Sequence, residues 1–167
     1  MDQRRPRPHL PADLRAQLDA VEPSIDGGLA YRPCQVTLRD GSVRDHVYVQ
    51  EAQSWFSIWG VDPEDDEFKT LVPIDSVVAI ESSPTRLPVR IANALYEAGE
   101  SAMGGSYFAL TLQDGRVVFC ESGNAIDFVD WPVGASPDDV VSVTPHAGRE
   151  RPDRIGTPDY AWCLYED

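Results

Sequence analysis

Residues 36–43 read VTLRDGSV, and residues 110–117, 74 positions later, read LTLQDGRV. In each copy, apolar and polar residues alternate up to an Asp-Gly pair and resume beyond it. That is the pattern of two strands joined by a tight turn in which glycine supplies a positive φ. The first copy starts at Tyr31, with Cys34, Val36 and Leu38 alternating with Gln35, Thr37 and Arg39, and continues past Val43 to Val47 and Val49. The segments downstream of the two hairpins repeat in order as well. After the first come a polar break at 51–54, an aromatic run WFSIWGV at 55–61, the acidic stretch DPEDDE and then IDSVVAI at 74–80; after the second come SGN at 122–124, AIDFVDW and PDDVVSV at 137–143. The offset falls from 74 at the Asp-Gly turn to 63 at the D-x-V-V strand, so the second copy is 11 residues shorter, the length of DPEDDEFKTLV. The sequence therefore predicts a duplicated β-unit, with WFSIWGV as a β-rich run of the first copy.

Outside these units the period becomes helical. Leu10, Leu14, Leu18 and Val21 recur behind Pro11 at helical spacing and predict one short amphipathic helix ending near Pro23. Leu87, Ile91, Ala94, Leu95 and Ala98 share a face of a second helix, with Pro84 or Pro88 near its start and Gly99 as its stop. At the end of the sequence, Tyr160, Trp162 and Leu164 alternate with Ala161, Cys163 and Tyr165, a strand apolar on both faces.

The expected architecture is α+β, mainly β. It comprises a disordered tail over 1–9, an N-terminal helix and linker over 10–28, and a first β-unit over 29–83. A connecting helix and Gly-rich loop over 84–105, a second β-unit over 106–146, and a loop with a C-terminal strand over 147–167 complete it. Each β-unit, with its strand, Asp-Gly turn, strand, further run and D-x-V-V closing strand, resembles the small SH3-like and Sm-like barrels. The resemblance covers the two units alone and implies a fold. For Sm-like barrels it also implies RNA binding, but the matching loop here holds Asp62, Glu64, Asp65, Asp66 and Glu67 where that family has basic and aromatic residues.

Charge points the same way. Among 167 residues, 28 acidic against 14 basic side chains give −14, and without Arg4, Arg5 and Arg7 the chain stands three charges lower, at −17. Such a field repels phosphate backbones, whose affinity for proteins comes from Lys and Arg displacing counterions. The expected partner is a basic protein, with no nucleic acid. Cys34, Cys120 and Cys163 show no paired spacing and are expected to be reduced and buried. No apolar run has the length of a membrane span or of a secretory leader core, so a bacterial cytoplasmic protein without a membrane partner is expected.

Motifs for chemistry are absent from the sequence. His9, His46 and His146 lack metal-ligand spacing, and DPEDDE lacks the alternating ligands and glycine of a calcium loop, so neither metal nor cofactor is expected. GESAMGGS follows a helix rather than leading into one, which removes the helix N-terminus that cradles a phosphate. Surface recognition remains. Trp55 and Trp59, sharing one face of a strand beside the acidic tip, form the expected partner-binding surface as anchors, with Asp62, Glu64, Asp65, Asp66 and Glu67 as steering and pairing groups. The expected function is a non-enzymatic acidic interaction module, an inhibitor or immunity-like protein for a basic partner. The alternative is a small-molecule-binding protein or small enzyme with a pocket between the β-units lined by Glu97, Glu100, Cys120, Asp127 and His146. The C-terminal strand either returns to its own fold or pairs with a second copy in a homodimer.

Overall fold

The computed structural model describes residues 4–167. In chain order the elements are helix α1 (Ala12–Asp19), strands β1 (Ser24–Asp26), β2 (Leu29–Tyr31), β3 (Pro33–Leu38) and β4 (Val43–Glu51), helix α2 (Ala52–Trp59), strand β5 (Val77–Ser82), helix α3 (Val89–Ala98), and strands β6 (Ser106–Leu112), β7 (Val117–Ser122), β8 (Val140–Pro145) and β9 (Ala161–Tyr165). Short 3-10 turns at Pro63–Asp65, Ile74–Ser76 and Pro137–Asp139 complete the set. Among the described residues the strands make three small sheets, β1-β2, β5-β3-β4-β9 and β7-β6-β8, none closed into a barrel. The α+β, mainly β expectation holds, while the closed barrel implied by the SH3-like and Sm-like resemblance does not form.

The two larger sheets share a strand plan. In each, the first hairpin strand is central and the D-x-V-V strand pairs antiparallel on its free side. Cys34↔Ser82, Val36↔Ile80 and Leu38↔Val77 in one sheet correspond to Phe108↔Pro145, Leu110↔Val143 and Leu112↔Val140 in the other, and the register slips at matching places, Thr37/Leu38 and Thr111/Leu112. The slip has a local cause in both. Gly41 and Gly115 donate their N–H to Leu38 O and Leu112 O at 2.9 and 3.0 Å, and the residue after the slip, Arg39 or Gln113, turns its N–H to Ser76 O or Asp139 O in the adjoining 3-10 turn. The sheets differ in the second hairpin strand. β4 carries a bulge at Asp45-His46, where His46 takes φ 59° and its N–H meets Asp45 Oδ1 at 2.7 Å; β7 pairs with β6 without a break.

The helices also correspond. Pro11-x-x-Leu14-x-x-x-Leu18 recurs as Pro88-x-x-Ile91-x-x-x-Leu95, with proline at the N-cap in each and those apolar residues buried. Helix α1 packs on β5 and α3 packs on β8. The helix expected to connect two β-units is therefore the opening element of the second.

WFSIWGV is the clearest departure, because it forms a helix and not a strand. Glu51 caps it, its carboxylate accepting from Gln53 N and Ser54 N at 2.8 and 2.7 Å, and Gly60 ends it in the left-handed conformation with φ 74° and its N–H on Phe56 O. Helical spacing then puts Trp55 and Trp59 on one face, where burial outweighs the β preference of an aromatic run.

The described residues divide into two compact units. The first takes the chain up to Pro23, Tyr31–Ser83 and Tyr160–Asp167; the second takes Ser24–Ala30 and Pro84–Asp159. The first core includes Leu14, Leu18, Val36, Val49, Ile74, Ile80 and Cys163. Burying each such aliphatic side chain stabilises by about 1.5–3 kcal/mol. β9 joins this unit as a parallel edge strand beside β4, from Val47↔Ala161 to Glu51↔Tyr165, so it pairs within its own chain. In the second unit Ile91, Leu95, Phe108, Leu110, Phe128 and Val140 are buried. All three cysteines are buried and outside any disulfide. Among the described residues, no helix is long and apolar enough to cross a membrane.

Candidate functional site

The tail expected to be disordered is the key to the site. Residues 1–3 lie outside the described residues, but residues 4–9 lie along the first unit. Glu166 N donates to Pro8 O at 3.0 Å, and Arg7 N donates to Glu166 Oε1 at 3.2 Å. Arg5 and Arg7 each precede a proline, which restricts both to extended backbone. Extended backbone alternates its side chains, so Arg5 and Arg7 turn one way and Arg4 the other. The structure follows this rule, with Arg4 on Glu166 at 2.7 Å and the other two on the acidic loop.

That loop is tied by its own cap. Asp62 caps the 3-10 turn Pro63–Asp65 by accepting Glu64 N at 3.1 Å, and it is only 4% exposed. Its Oδ2 accepts the Arg5 backbone N–H at 3.0 Å, and its Oδ1 takes Arg7 Nη2 at 2.8 Å and Arg5 Nη1 at 3.4 Å. Glu64 then bridges the two guanidinium groups, with Oε2 on Arg5 and Oε1 on Arg7, both at 2.8 Å; Asp65 takes Arg5 Nη2 at 2.9 Å. Burial pushes the Asp62 carboxyl up, but the N–H bonds from Arg5 and Glu64 and the charges of Arg7 and Arg5 outweigh it and hold the group below the usual carboxylate range. Beside this notch is a cavity of about 190 Å³ lined by Pro6, Pro8, Leu71, Val72, Ile74 and Leu164, among others.

The remaining residues of the expected surface have other roles. Trp55 is 0% exposed and stacks on half-buried Trp59 at 6.0 Å and 18°, and both meet the edge of Trp162 from β9 at 5.7 and 5.4 Å. Their Nε1 atoms are buried and meet no acceptor among the described residues, so stacking and burial hold the pair. The tryptophans expected as exposed anchors are thus the packing face of α2. Asp66 faces Lys69 at 3.4 Å, whose ammonium lies 4.2 Å from the Trp59 ring centroid, and Glu67 is exposed.

The five residues of the alternative pocket all belong to the second unit, and they do not converge. Glu97 is exposed. Glu100 accepts Gly104 N at 3.3 Å, and burial first, then the Glu100 charge, holds the Asp26 carboxyl above its usual range. Cys120 is 1% exposed, and burial pushes its thiol up to about 12, which removes the thiolate a nucleophile needs at neutral pH. His146, at φ 58°, places its ring 2.7 Å from Ser101 Oγ and 3.1 Å from Ala98 O. Asp127, 0% exposed, receives the Ser24 hydroxyl at 2.5 Å and the Tyr96 hydroxyl at 2.6 Å, while Arg86 Nη2 donates to Ser24 Oγ at 2.9 Å. None of the five lines the open groove of about 450 Å³ in this unit, whose walls include Gly104, Gly105, Tyr107, Glu121, Ser122 and Thr157. Among the described residues, no group of three or more His, Cys, Asp or Glu side chains is placed to hold a metal ion.

Sequence reasoning missed Arg5, Arg7 and Glu166, and also Ser24, Arg86 and Tyr96. For the arginines a signal was present, since two Arg-Pro pairs stand in the same chain as DPEDDE. Comparison with protein-family models, curated proteins and solved structures finds no match for this chain.

Proposed function

We propose that the protein is a non-enzymatic acidic interaction module, inhibitor-like or immunity-like, that holds a basic segment of a partner protein in the notch formed by Asp62, Glu64 and Asp65, in the bacterial cytoplasm. The observation that supports this most is the clasp: three carboxylates meet two guanidinium groups through five ion pairs of 2.8–3.4 Å. A site that takes arginine from its own chain has the charge and geometry to take it from another. Asp66 and Glu67 add to the field that steers a basic partner toward it. Relative to the sequence reading, recognition moves from Trp55 and Trp59 to the carboxylates, and the tryptophans pack α2 against Trp162.

The test compares wild type with the Asp62→Asn, Glu64→Gln double variant in capturing basic proteins at low salt. The reading expects capture by wild type that is lost in the variant and in about 0.5 M salt, where screening acts within a few ångströms. Equal capture by both proteins contradicts it. A second reading, a small-molecule binder, is favoured only by the groove of about 450 Å³ in the second unit. It expects a ligand-induced thermal shift that Asp62→Asn leaves unchanged. For the fold, we infer two copies of one helix, hairpin and closing-strand unit, open relatives of the SH3-like plan. Matched strand pairings and the shared Pro-x-x-Leu/Ile-x-x-x-Leu helices support that descent.

A further inference from the structure

We infer that the notch recognises one chemical class, an extended, proline-interrupted Arg-x-Arg segment, and that residues 4–8 of the chain are its resident occupant and therefore its competitor. This inference rests on the proposed interaction function and narrows it to a ligand. Three features of the seated segment carry it.

The first is spacing. Arg5 and Arg7 are two residues apart, and Glu64 reaches both with its separate oxygens while Asp62 Oδ1 lies between them. Helical backbone would send such a pair to different faces, whereas extended backbone sends them together. The second is the chemistry of the fork. Arg5 spans Glu64 with Nη1 and Asp65 with Nη2, and Arg7 spans Glu64 and Asp62 in the same manner, a geometry that a lysine ammonium does not reproduce. The third is the floor. Pro6, between the arginines, and Pro8, after them, line the same cavity as Leu71, Val72, Ile74 and Leu164, so the apolar rings of the segment have apolar surface beside them. Proline also lowers the ordering cost of such a ligand, because its φ is already fixed.

The strap is held by backbone bonds at Arg5, Arg7 and Pro8, by the largely buried Arg7–Asp62 pair, and by an outer Arg5 fork that is open to water. The side chains of Arg5, Glu64 and Asp65 are 45, 44 and 59% exposed, so water and salt reach the bonds that a competing segment must replace. A partner segment of the same class then displaces residues 4–8 by exchange of like for like, and affinity for it is reduced by the fraction of time the strap is seated.

The experiment uses the full chain with the strap disarmed, Arg5→Ala with Arg7→Ala, titrated with a fluorescent peptide of residues 4–10, RRPRPHL, by anisotropy at low salt. Circular dichroism and the melting transition confirm the fold of each variant. The inference expects the peptide to bind the disarmed protein at least about tenfold more tightly than wild type, a difference of ~1.4 kcal/mol. It also expects adding Asp62→Asn to abolish that binding, and a KKPKPHL peptide to bind several-fold more weakly. In wild type, excess RRPRPHL should raise the backbone mobility of residues 4–8 measured by NMR. Equal affinity for disarmed and wild-type protein, or for the Arg and Lys peptides, overturns it. A basic globular probe, lysozyme, separates the ligand class from the broader function. If lysozyme binds through Asp62 while the peptide does not, the ligand class falls and the acidic-module reading stands; if neither binds, both fall.

Discussion

Asp62 in the first unit and Asp127 in the second both fasten a stretch from earlier in the chain, the one residues 4–7 and the other Ser24, yet they do so in different media. Asp62 is buried at its carboxyl and pairs with Arg7, whose side chain is 13% exposed, but Arg5 and the Glu64 and Asp65 carboxylates that share it stand about half in water. Asp127 is 0% exposed, and hydroxyl groups from Ser24 and Tyr96 reach it with Arg86 behind Ser24. In water an ion pair is weak, screened and exchangeable. In a dry interior the same carboxylate is costly to leave without its partners, so the contact becomes permanent structure. One shared strand plan thus carries a releasable fastening on one unit and a fixed one on the other.

The largest effect should come from breaking the fixed member. Asp127→Ala removes the acceptor of two buried hydroxyls, Ser24 and Tyr96, from a 0% exposed site, with an expected loss of about 3–5 kcal/mol in urea unfolding. A loss under about 1 kcal/mol would erase the contrast between the two carboxylates. Tyr96→Phe sharpens the same point, since it deletes one hydroxyl that both donates to Asp127 and accepts Ile126 N at 3.2 Å. Its expected cost is about 1–3 kcal/mol by the same measurement. Asp62→Asn removes the charge from a buried carboxylate while Arg5 and Arg7 still reach water or Glu64, and should cost about 1–2 kcal/mol in global stability. Its visible consequence is local, a freed strap whose amides exchange as they would in a short peptide.

Acid gives the smallest and most selective effect. Because the folded Asp62 carboxyl is held below its usual range, its contribution is present above the unfolded value near pH 4 and is lost as pH falls through the lowered folded value. Strap mobility should therefore rise below about pH 4, before the second unit loosens, as followed by NMR relaxation of residues 4–8. Simultaneous loosening of both would argue against separate fastenings.

Local chemistry made much of the fold legible. Asp-Gly between alternating runs specified both hairpins, and Pro-x-x-Leu/Ile-x-x-x-Leu specified both helices, although their correspondence to each other went unread. Helix α2 was misread because Trp, Phe and Ile suit strands; Glu51 and Gly60 are its local signals, but the deciding contact is with Trp162, on the last strand. The carboxylates of the site were legible as an acidic tip. Their occupant was not, because composition shows two opposite charge clusters without showing that 55–60 residues of chain fold to bring them together. Nothing local marks Ser24 and Asp127, 103 residues apart, as partners.

The most direct test of the clasp is the hydrogen-exchange rate of the Arg5 backbone amide, which donates to Asp62 Oδ2 at 3.0 Å. The clasp predicts slow exchange in wild type at low salt, rising to the free-peptide rate in about 0.5 M salt and in Asp62→Asn. Free-peptide exchange in wild type at low salt would contradict it, and with it the notch as a site that holds arginine.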